Sequence, residues 1–338
     1  MATITPKRIH QFIEPFRVEP GRRVRLPRDF DPAKVTAEAS KAEKKEVLAS
    51  GVELLAEYQA RLAAQDTYGV VVVLQAMDAA GKDGTIRHVM SGVNPQGVEV
   101  HGFKVPSAEE LDHDYLWRYQ LKLPARGNIG IFNRSHYEEV LVVRVHPQIL
   151  AGQKMPPKSK KGDVWKRRFR EINDWEHYLT DQGYRFVKIF LNLSNEEQRR
   201  RFLSRIDEPD KNWKFSANDA KERTYWDDYQ KAFSEVLSNT STEWAPWYVI
   251  PADDKPFARV VAAGVIADTL IGINPKYPTV SDEERASLQS VKTELMAQAP
   301  AGAEADPIEA ELTAKADKKP KADKKAKKGK KAKKGKKS

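Results

Sequence analysis

The chain has 338 residues, no cysteine and a formal net charge of +10. The lack of cysteine excludes disulfides, zinc–thiolate sites and cysteine nucleophiles. Residues 315–338 contain 14 Lys and two Asp, so they carry a net charge of +12 and leave about −2 on residues 1–314. The positive charge therefore belongs to the tail, and it says little about the folded body.

The N-terminal residues lack the apolar stretch of a secretory signal. No apolar run in the sequence approaches the roughly 18 residues of a membrane-spanning helix. These observations predict a cytoplasmic protein without a membrane span. Residues 1–40 are rich in Pro and Arg and show little periodicity, which predicts an extended N-terminal arm packed on the body.

A helix and a buried strand open the body of the chain. Apolar residues recur at helical spacing over residues 41–65, which predicts a helix. Val70–Leu74 form a short continuous apolar run, as expected for a strand that is buried on both faces of a parallel sheet. The further β segments are predicted at residues 97–103, 128–132, 184–193 and 247–251.

Helical segments separate these five strands. Ser107 with Glu110, and Ser194 with Glu197, have the spacing of a capping box and mark two helix starts. An apolar helix is predicted over residues 256–273. The alternation predicts an α/β protein, a three-layer α/β/α fold with a five-stranded parallel sheet. Ligands of such folds bind at the carboxyl ends of the strands, so functional residues are expected there.

Two polar segments interrupt this alternation, at about residues 152–178 and 204–226, and we interpret them as a helical lid over the site. Beyond residue 275 the composition changes to Ala, Pro and Glu and then to Lys. We therefore place the catalytic domain at residues 41–275. The C-terminal extension, residues 276–338, is predicted to be disordered from about residue 297.

The strongest functional signal is the segment AMDAAGKDGT, residues 76–85, which follows a buried strand and opens a helix. This is the context of a P-loop, in which small residues let backbone N–H groups approach phosphate oxygens and the helix N-terminus adds a positive dipole. Lys82 is placed to bridge two phosphates. The candidate phosphate-binding residues of the loop are Ala79, Ala80, Gly81, Lys82, Asp83, Gly84 and Thr85.

This loop departs from the standard P-loop pattern. Ala76 stands in place of the first Gly, and Asp83 stands where a magnesium-binding Ser or Thr is common. Asp78 places a carboxylate inside a phosphate cradle, which is repulsive unless a cation lies between them, so we infer Mg²⁺ beside Asp78. From the bare pattern, an ordinary Gly/Ala strand-to-helix turn is the alternative.

A second motif, FNRSHYE at residues 132–138, follows the third predicted strand. Arg134 is suited to a transferring phosphate because its planar guanidinium binds phosphate through two hydrogen bonds, and Asn133 is a further candidate ligand. Glu138 could bind the metal directly or through water, or it could be a carboxylate stabilised by a helix dipole. His136 is given no acid–base role.

Basic residues on two predicted helices are further candidates for phosphate binding. Lys166 and Arg170 share one helix face, and Arg201 and Arg205 share another, by i,i+4 spacing. Lys214 is a companion candidate in the second lid segment. Lys166 and Arg170 could line a channel for a linear polyanion. Arg201 and Arg205 lie in the region where a lid arginine of nucleotide kinases neutralises the charge of the transferred group. The alternative is that they form solvated helix faces, the usual meaning of a run of charges.

The segments AMDAAGKDGT and FNRSHYEEVLVVRVHP resemble the two signature segments of the family-2 polyphosphate kinases. The likeness extends through SGVNPQGVEVHGFKVPSAEELDHDYLW and DEPDKNWKFSANDAKER, and it covers roughly residues 40–275 with the motifs in the same order. The form FNRSHYE is similar to that of the subgroup that accepts both AMP and ADP.

The resemblance implies a P-loop kinase fold similar to thymidylate kinase and dependence on Mg²⁺. It also implies reversible phosphoryl transfer between inorganic polyphosphate and AMP, ADP or ATP, with guanine nucleotides as further candidates. Asp78, Lys82 and Arg134 are implied to be the essential catalytic residues. We also expect a homo-oligomer.

Two other functions stay open. A conventional ATP-dependent nucleoside monophosphate kinase would have the same fold, although Asp78 and Asp83 in the loop argue against it. The Lys-rich tail could instead make the chain a polyanion-binding protein. As the whole function, that role leaves both phosphate motifs unexplained.

Overall fold

The structure is a computed structural model that describes residues 6–35, 40–209, 212, 217–302, 306 and 308. Its centre is a sheet of five parallel strands in the order β2-β3-β1-β4-β5. The strands are β1 Gly69–Ala76, β2 Val98–Gly102, β3 Ile129–Asn133, β4 Tyr184–Asn192 and β5 Trp247–Pro251. The predicted α/β fold with a five-stranded parallel sheet is confirmed.

The central position of β1 follows from its sequence. Val70–Leu74 are almost completely buried, because both faces of the strand are covered. Val72 lies opposite Ile131 of β3 and Val187 of β4. The loop that follows Ala76 therefore opens in the middle of the carboxyl edge of the sheet, between the ends of β3 and β4.

Helices cover both faces of the sheet. The described residues up to Tyr277 form the helices α1 Pro6–Ile13, α2 Lys41–Gln65, α3 Lys82–Val89, α4 Ala108–Asp112, α5 Trp117–Gln120, α6 Val142–Val145, α7 Pro147–Gly152, α8 Val164–Asp181, α9 Asn195–Asp207, α10 Ala217–Glu222, α11 Trp226–Thr240 and α12 Lys255–Ile273, and a separate unit contains α13 Asp282–Ala297. Side chains of β1 alternate between two cores. Val72 packs with residues of α2 and α12 on one face, and Val73 packs with residues of α8 and α11 on the other.

Helix α12 is long and apolar enough to cross a membrane by length and composition, with 19 residues and a mean hydropathy of 1.6. Arg259 and Asp268 interrupt its apolar residues, so α12 contains no continuous apolar run of this length although its average composition is apolar. In the structure α12 packs against α1, α2, β4 and β5. Val261, Val265 and Leu270 are completely buried there. Its packing is that of a core helix.

The N-terminal arm is anchored to β5 and α12. The N–H of Val18 donates to the carbonyl of Trp247 at 2.8 Å, and Arg17 forms an isolated antiparallel bridge with Tyr248. Helix α1 packs against α12, and Ile13 is completely buried. The arm thus lies in the same compact unit as the sheet, and this unit extends to Tyr277.

A second unit begins at Pro278 and contains α13. The helix starts with a capping box, in which Ser281 and Glu284 each accept a hydrogen bond from the other's backbone N–H. Leu288, Val291 and Leu295 are exposed on it. The Lys-rich residues 315–338 lie outside the described residues, so the predicted disorder there stays a prediction.

The first predicted lid segment consists largely of α8, which packs on β4 and α11. Phe169, Ile172 and Leu179 of α8 are buried in the core. The second predicted lid segment includes α10 and several residues outside the described ones. A lid function for either segment stays a prediction, and the core packing of α8 ties the first one to the body.

Candidate active site

The loop between β1 and α3 has the backbone conformation of an anion cradle. Ala79 and Gly81 both adopt left-handed conformations, with φ of 63° and 107°. This conformation costs a non-glycine residue about 1–2 kcal/mol, and it persists where the surrounding structure enforces it. Gly81 is the N-cap of α3, so the free N–H groups of the first helical turn and the positive end of the helix dipole lie in this loop.

Lys82 and Asp83, the first residues of α3, are fixed by contacts to strand ends. Nζ of Lys82 donates to the carbonyl of Ala76 at 3.0 Å, which holds the ammonium over the end of β1. Oδ1 of Asp83 accepts a hydrogen bond from Nδ2 of Asn133 at 2.7 Å. In place of the usual hydroxyl at position 83, a carboxylate thus ties α3 to the end of β3.

Arg134 is the first residue after β3, and its backbone is also left-handed, with φ of 64°. Its N–H donates to the carbonyl of Leu74 at 3.1 Å, which continues the ladder between β3 and β1. Nη2 of the guanidinium lies 3.3 Å from Oδ1 of Asp78, and the side chain is 44% exposed. The guanidinium therefore stands beside the phosphate loop with N–H groups available to an anion.

The charges of Asp78, Lys82 and Arg134 influence one another. Burial lowers the pKa of Lys82, the charge of Asp78 opposes this shift, and the charge of Arg134 adds to it. Burial also acts to lower the pKa of Arg134, but Glu138 and Asp78 outweigh it and raise the pKa. The structure thus brings the three predicted catalytic residues together at one point.

Glu138 belongs to the same cluster and is half-buried. Burial raises its pKa, and the nearby charges of Arg134 and Lys82 partly oppose that rise. The described residues contain no group of three or more side chains of the types His, Asp and Glu that could hold a metal ion. Mg²⁺ commonly binds through one or two carboxylates and takes its other ligands from phosphates and water, so Asp78 and Glu138 are suitable donors.

A cavity of about 400 Å³ opens beside this cluster. Asp78, Arg134 and Glu138 line one side of it. Its lining also includes residues of α10, α11 and the turn between them: Asn218, Asp219, Glu222, Arg223, Tyr229 and Phe233. The volume lies in the range of sites for small molecules, and the lining combines charged groups with aromatic rings.

Arg201 supports the phosphate loop from behind. Its Nη1 donates to the carbonyls of Ala79 and Ala80 at 3.1 and 2.9 Å. Nη2 donates to two carbonyls after β5, and Nε donates to Glu197. All five N–H groups are used in this way. Arg201 therefore binds loop carbonyls in place of the predicted phosphate. Because the carbonyl of Ala80 and the N–H of Gly81 lie on opposite sides of one trans peptide, this N–H points away from Arg201.

The other predicted basic residues lie elsewhere. Lys166 is exposed, and Arg170 is 67% exposed with its Nε 3.9 Å from a carboxylate oxygen of Asp174. Neither side chain lines the cavity. Arg205 is half-buried on α9, and Lys214 lies outside the described residues. A phosphate-binding role for these four residues stays a prediction.

Three polar residues at the site were not predicted from the sequence. Gln75 is buried and donates to Oγ of Ser135 at 3.1 Å. Nε2 of Gln198 donates to the carbonyl of Asp78 at 2.9 Å, and Arg223 donates to Oε1 of Gln198 at 2.7 Å. A polar residue inside the apolar run of β1 is a usable signal for Gln75. Gln198 and Arg223 have no such signal, because the contact between them forms only in the folded chain.

A further cationic position lies between α3 and α12. Nη2 of Arg259 comes within 3.5 Å of the point where a Cβ on Gly84 would lie, so it borders the first turn after the loop. Burial lowers the pKa of Arg259, and the positive charges of Arg87 and Arg201 lower it further. Guanidinium groups that repel one another in this way attract anions.

The site can bind anionic groups and neutralise their charge. Backbone N–H groups, Lys82 and Arg134 surround a space that accommodates a small molecule, and phosphoryl transfer is accelerated mainly by such positioning and charge neutralisation. A phosphate loop after the central strand of a parallel sheet is the arrangement of P-loop kinases. The chain is therefore an enzyme of the P-loop kinase-like phosphotransferases.

Comparison with known proteins identifies the family of this chain. The family described as Polyphosphate kinase 2 (PPK2) matches residues 38–277. The chain is 50% identical over 285 residues to the ADP-polyphosphate phosphotransferase of Rhodopseudomonas palustris, covering 83% of this chain and 97% of that protein. It is 45% identical over 264 residues to the AMP/ADP-polyphosphate phosphotransferase of Meiothermus ruber, with coverage of 78% and 94%. The chain belongs to the polyphosphate kinase 2 family.

Solved structures agree with this assignment. The crystal structure of Polyphosphate Kinase 2 from Arthrobacter aurescens matches the chain with a TM-score of 0.70 at 38% sequence identity, over 81% of this chain and 98% of that one.

Proposed function

We propose that the protein transfers phosphoryl groups between inorganic polyphosphate and nucleoside mono- and diphosphates, converting AMP to ADP and ADP to ATP. The observation that carries this proposal is the meeting of Asp78, Lys82 and Arg134 beside the phosphate loop and the cavity. The relatives named for ADP and for AMP/ADP support this choice of acceptors. The reaction is reversible, because one phosphoanhydride bond replaces another.

The chemistry needs no strong general base. The attacking atom is a terminal phosphate oxygen of the nucleotide, which is already ionised near neutral pH. As its bond to the terminal phosphorus of polyphosphate forms, the bond to the next phosphate breaks, and the polymer leaves one unit shorter. Lys82, Arg134 and the N–H groups of the loop align the two phosphates and neutralise the charge that builds up on the transferred group.

Mg²⁺ is the proposed cofactor, and the carboxylates present fit it. Asp78 would hold the ion, and Glu138 would hold it directly or through water. When bound, the ion neutralises charge on phosphate oxygens. The placement of Asp78 supports the proposal, because a carboxylate so close to a phosphate cradle repels the substrate unless a cation separates them.

The two substrates approach from different sides in this proposal. The cavity beside α10 and α11 takes the nucleotide, since it has the volume and the aromatic lining for a small molecule. Polyphosphate extends from the loop toward the cations Arg87 and Arg259, which supply the positive potential that a polyanion requires.

A comparison of donors tests the proposal. The purified protein is given AMP and Mg²⁺ with either polyphosphate or ATP as the donor, and the nucleotides are separated by ion-exchange chromatography. We expect ADP to form from polyphosphate in the absence of ATP. ADP that forms only when ATP is supplied would identify a conventional nucleoside monophosphate kinase instead.

Homo-oligomeric assembly and polyanion binding by residues 315–338 are additional proposals. The tail carries a net charge of +12, which supports salt-sensitive binding to polyanions. Deletion of residues 315–338 should remove the tail's contribution to this binding and leave turnover intact. Sedimentation of the purified protein measures the oligomeric state.

A further inference from the structure

A buried ion pair lies behind the active site. Lys188 of β4 and Glu176 of α8 are both completely buried, and Nζ of Lys188 lies 2.7 Å from Oε2 of Glu176. Removing two charges from water carries a large desolvation penalty, which their mutual attraction often fails to recover. A contribution to stability is therefore a weak explanation for the presence of this pair. Its contacts indicate a different role.

The pair holds two consecutive residues of the segment that follows β3. Oε1 of Glu176 lies 3.2 Å from Nε2 of His136 and accepts a hydrogen bond from the hydroxyl of Tyr137 at 2.8 Å. Nζ of Lys188 donates to the hydroxyl of Tyr137 at 2.8 Å and to the carbonyl of Thr240 at 2.6 Å. With Glu176 as its third acceptor, the ammonium has used all of its N–H groups. We refer to Glu176, Lys188, His136 and Tyr137 as the buried clamp.

The protonation states of the clamp agree with this geometry. Burial acts to raise the pKa of Glu176, but the charge of Lys188 and the hydrogen bond with His136 outweigh it and lower the pKa. Glu176 therefore stays ionised and accepts both hydrogen bonds.

Arg134 depends on its neighbours for its position. Its side chain is 44% exposed, so packing does not fix the guanidinium, and its backbone is left-handed with φ of 64°. A non-glycine residue keeps such a conformation only when the surrounding structure enforces it. On the N-terminal side the ladder to Leu74 does so. On the C-terminal side the next three residues are completely buried, and two of them belong to the clamp.

We propose that Glu176 and Lys188 are positioning residues for Arg134, because they hold His136 and Tyr137 and thereby fix the turn that directs the guanidinium to the transferred phosphoryl group. The proposal rests on the proposed function, in which Arg134 contacts that group. It gives a role to a buried ion pair beside the second motif, where apolar residues of similar volume would fill the same space.

A double-mutant cycle tests the proposal. The substitutions Glu176→Met and Lys188→Met, made together, remove both charges and keep a similar volume, so they avoid leaving one buried charge unpaired. We expect kcat with polyphosphate and ADP to fall about 10- to 100-fold, since a small misplacement of a catalytic group has an effect of this size. The KM for ADP should change less than about twofold, because Arg134 acts mainly on the transferred group.

The same pair of substitutions is then made in the Arg134→Ala background. If the clamp acts through Arg134, the pair should lower kcat there by less than about twofold, because the two effects are not additive. An equal loss in both backgrounds would mean a general structural role and would overturn the proposal. A double variant with the kcat of the wild type would also overturn it. Inactive wild-type protein would refute the proposed function instead.

Two further variants keep the test decisive. Leu270→Ala lies in the core on the opposite face of the sheet, so it lowers stability without changing the clamp. Its kcat per folded molecule should equal that of the wild type. If the double variant does not fold, Tyr137→Phe removes only the hydroxyl that joins Lys188 to Glu176, and the same two-background comparison applies to it. Additive losses for Tyr137→Phe would overturn the proposal as well.

Discussion

Nη2 of Arg134 lies 3.3 Å from Oδ1 of Asp78, so the end of β3 and the phosphate loop meet in one ion pair. The two residues are 56 positions apart in the sequence, and the parallel pairing of β1 with β3 brings them together. The guanidinium has five N–H groups, and Asp78 takes one of them. The others remain for phosphate oxygens, which makes the pair a preformed part of the site.

Substitution of either cation in this site should abolish turnover. We predict that Lys82→Ala and Arg134→Ala each lower kcat by about 10³-fold or more, because each removes a charge that stabilises the transferred phosphoryl group. The melting temperature of Arg134→Ala should fall by no more than a few degrees, since 44% of the side chain is exposed. Steady-state kinetics and thermal unfolding measure the two effects.

Arg199→Ala is the matched control for these variants. Arg199 is an exposed arginine that pairs with Glu196 on α9, so its loss should leave kcat and melting temperature unchanged. Turnover at the level of the wild type in Lys82→Ala or Arg134→Ala would contradict the site assignment.

Arg201 should affect stability as well as activity. Arg201→Ala leaves the carbonyls of Ala79 and Ala80 without their buried donor, so we predict a loss of about 3 kcal/mol in the free energy of unfolding. Turnover should fall with it, because the loop loses its support. Urea denaturation measures the first effect. Arg205→Ala, on the same helix and half-buried, should cost less than about 1 kcal/mol, and an equal loss for both variants would contradict the supporting role.

Arg259 should contribute to the binding of polyphosphate and not to the binding of ADP. We predict that Arg259→Gln raises the KM for polyphosphate about three- to tenfold and weakens its dependence on salt, because the variant removes one charge from the positive surface beside α3. The KM for ADP should stay unchanged. Kinetics at several salt concentrations check this, with Arg200→Gln as the control for a solvated arginine. An increase in the KM for ADP alone would place Arg259 at the nucleotide instead.

The pH dependence of stability should report on Glu138. Burial raises its pKa above the ordinary value of 4.5, so the ionised carboxylate weakens the folded state as the pH rises through and above this value. We predict that Glu138→Gln gains about 1 kcal/mol of stability at pH 7, and that the gain disappears as the pH falls below 4.5. Urea denaturation at pH 7 and pH 4 measures it. A gain that is larger at pH 4 than at pH 7 would have the wrong sign.

Local patterns were sufficient to predict the sheet and the phosphate loop. The apolar run of β1 is continuous because both faces of the strand are covered, and the loop sequence directly follows it. Asp78, Lys82 and Arg134 could be named because their motifs stand at strand ends, which share one edge in a parallel sheet. In these cases the evidence lies within about ten neighbouring residues.

The supporting residues could not be predicted in this way. Arg201 and Arg205 are equivalent in helical spacing, and only the fold decides that Arg201 is buried against loop carbonyls while Arg205 is not. Gln198 meets Arg223 through tertiary contact alone. Lys188 did leave a signal, because a charged residue in the apolar run of β4 has to find a buried partner. Its partner, Glu176, lies on a helix with several charged residues, and the sequence does not distinguish the buried one from the exposed ones.

The most direct test of phosphoryl transfer at this site measures nucleotide and polymer together. Long-chain polyphosphate, Mg²⁺ and ADP are incubated with the protein in the absence of ATP, and both ATP and the phosphate units lost from the polymer are quantified over time. We predict one ATP for each unit lost with the wild type, and no ATP with Lys82→Met. Loss of phosphate units without ATP, or equal ATP formation by Lys82→Met, would contradict phosphoryl transfer at this site.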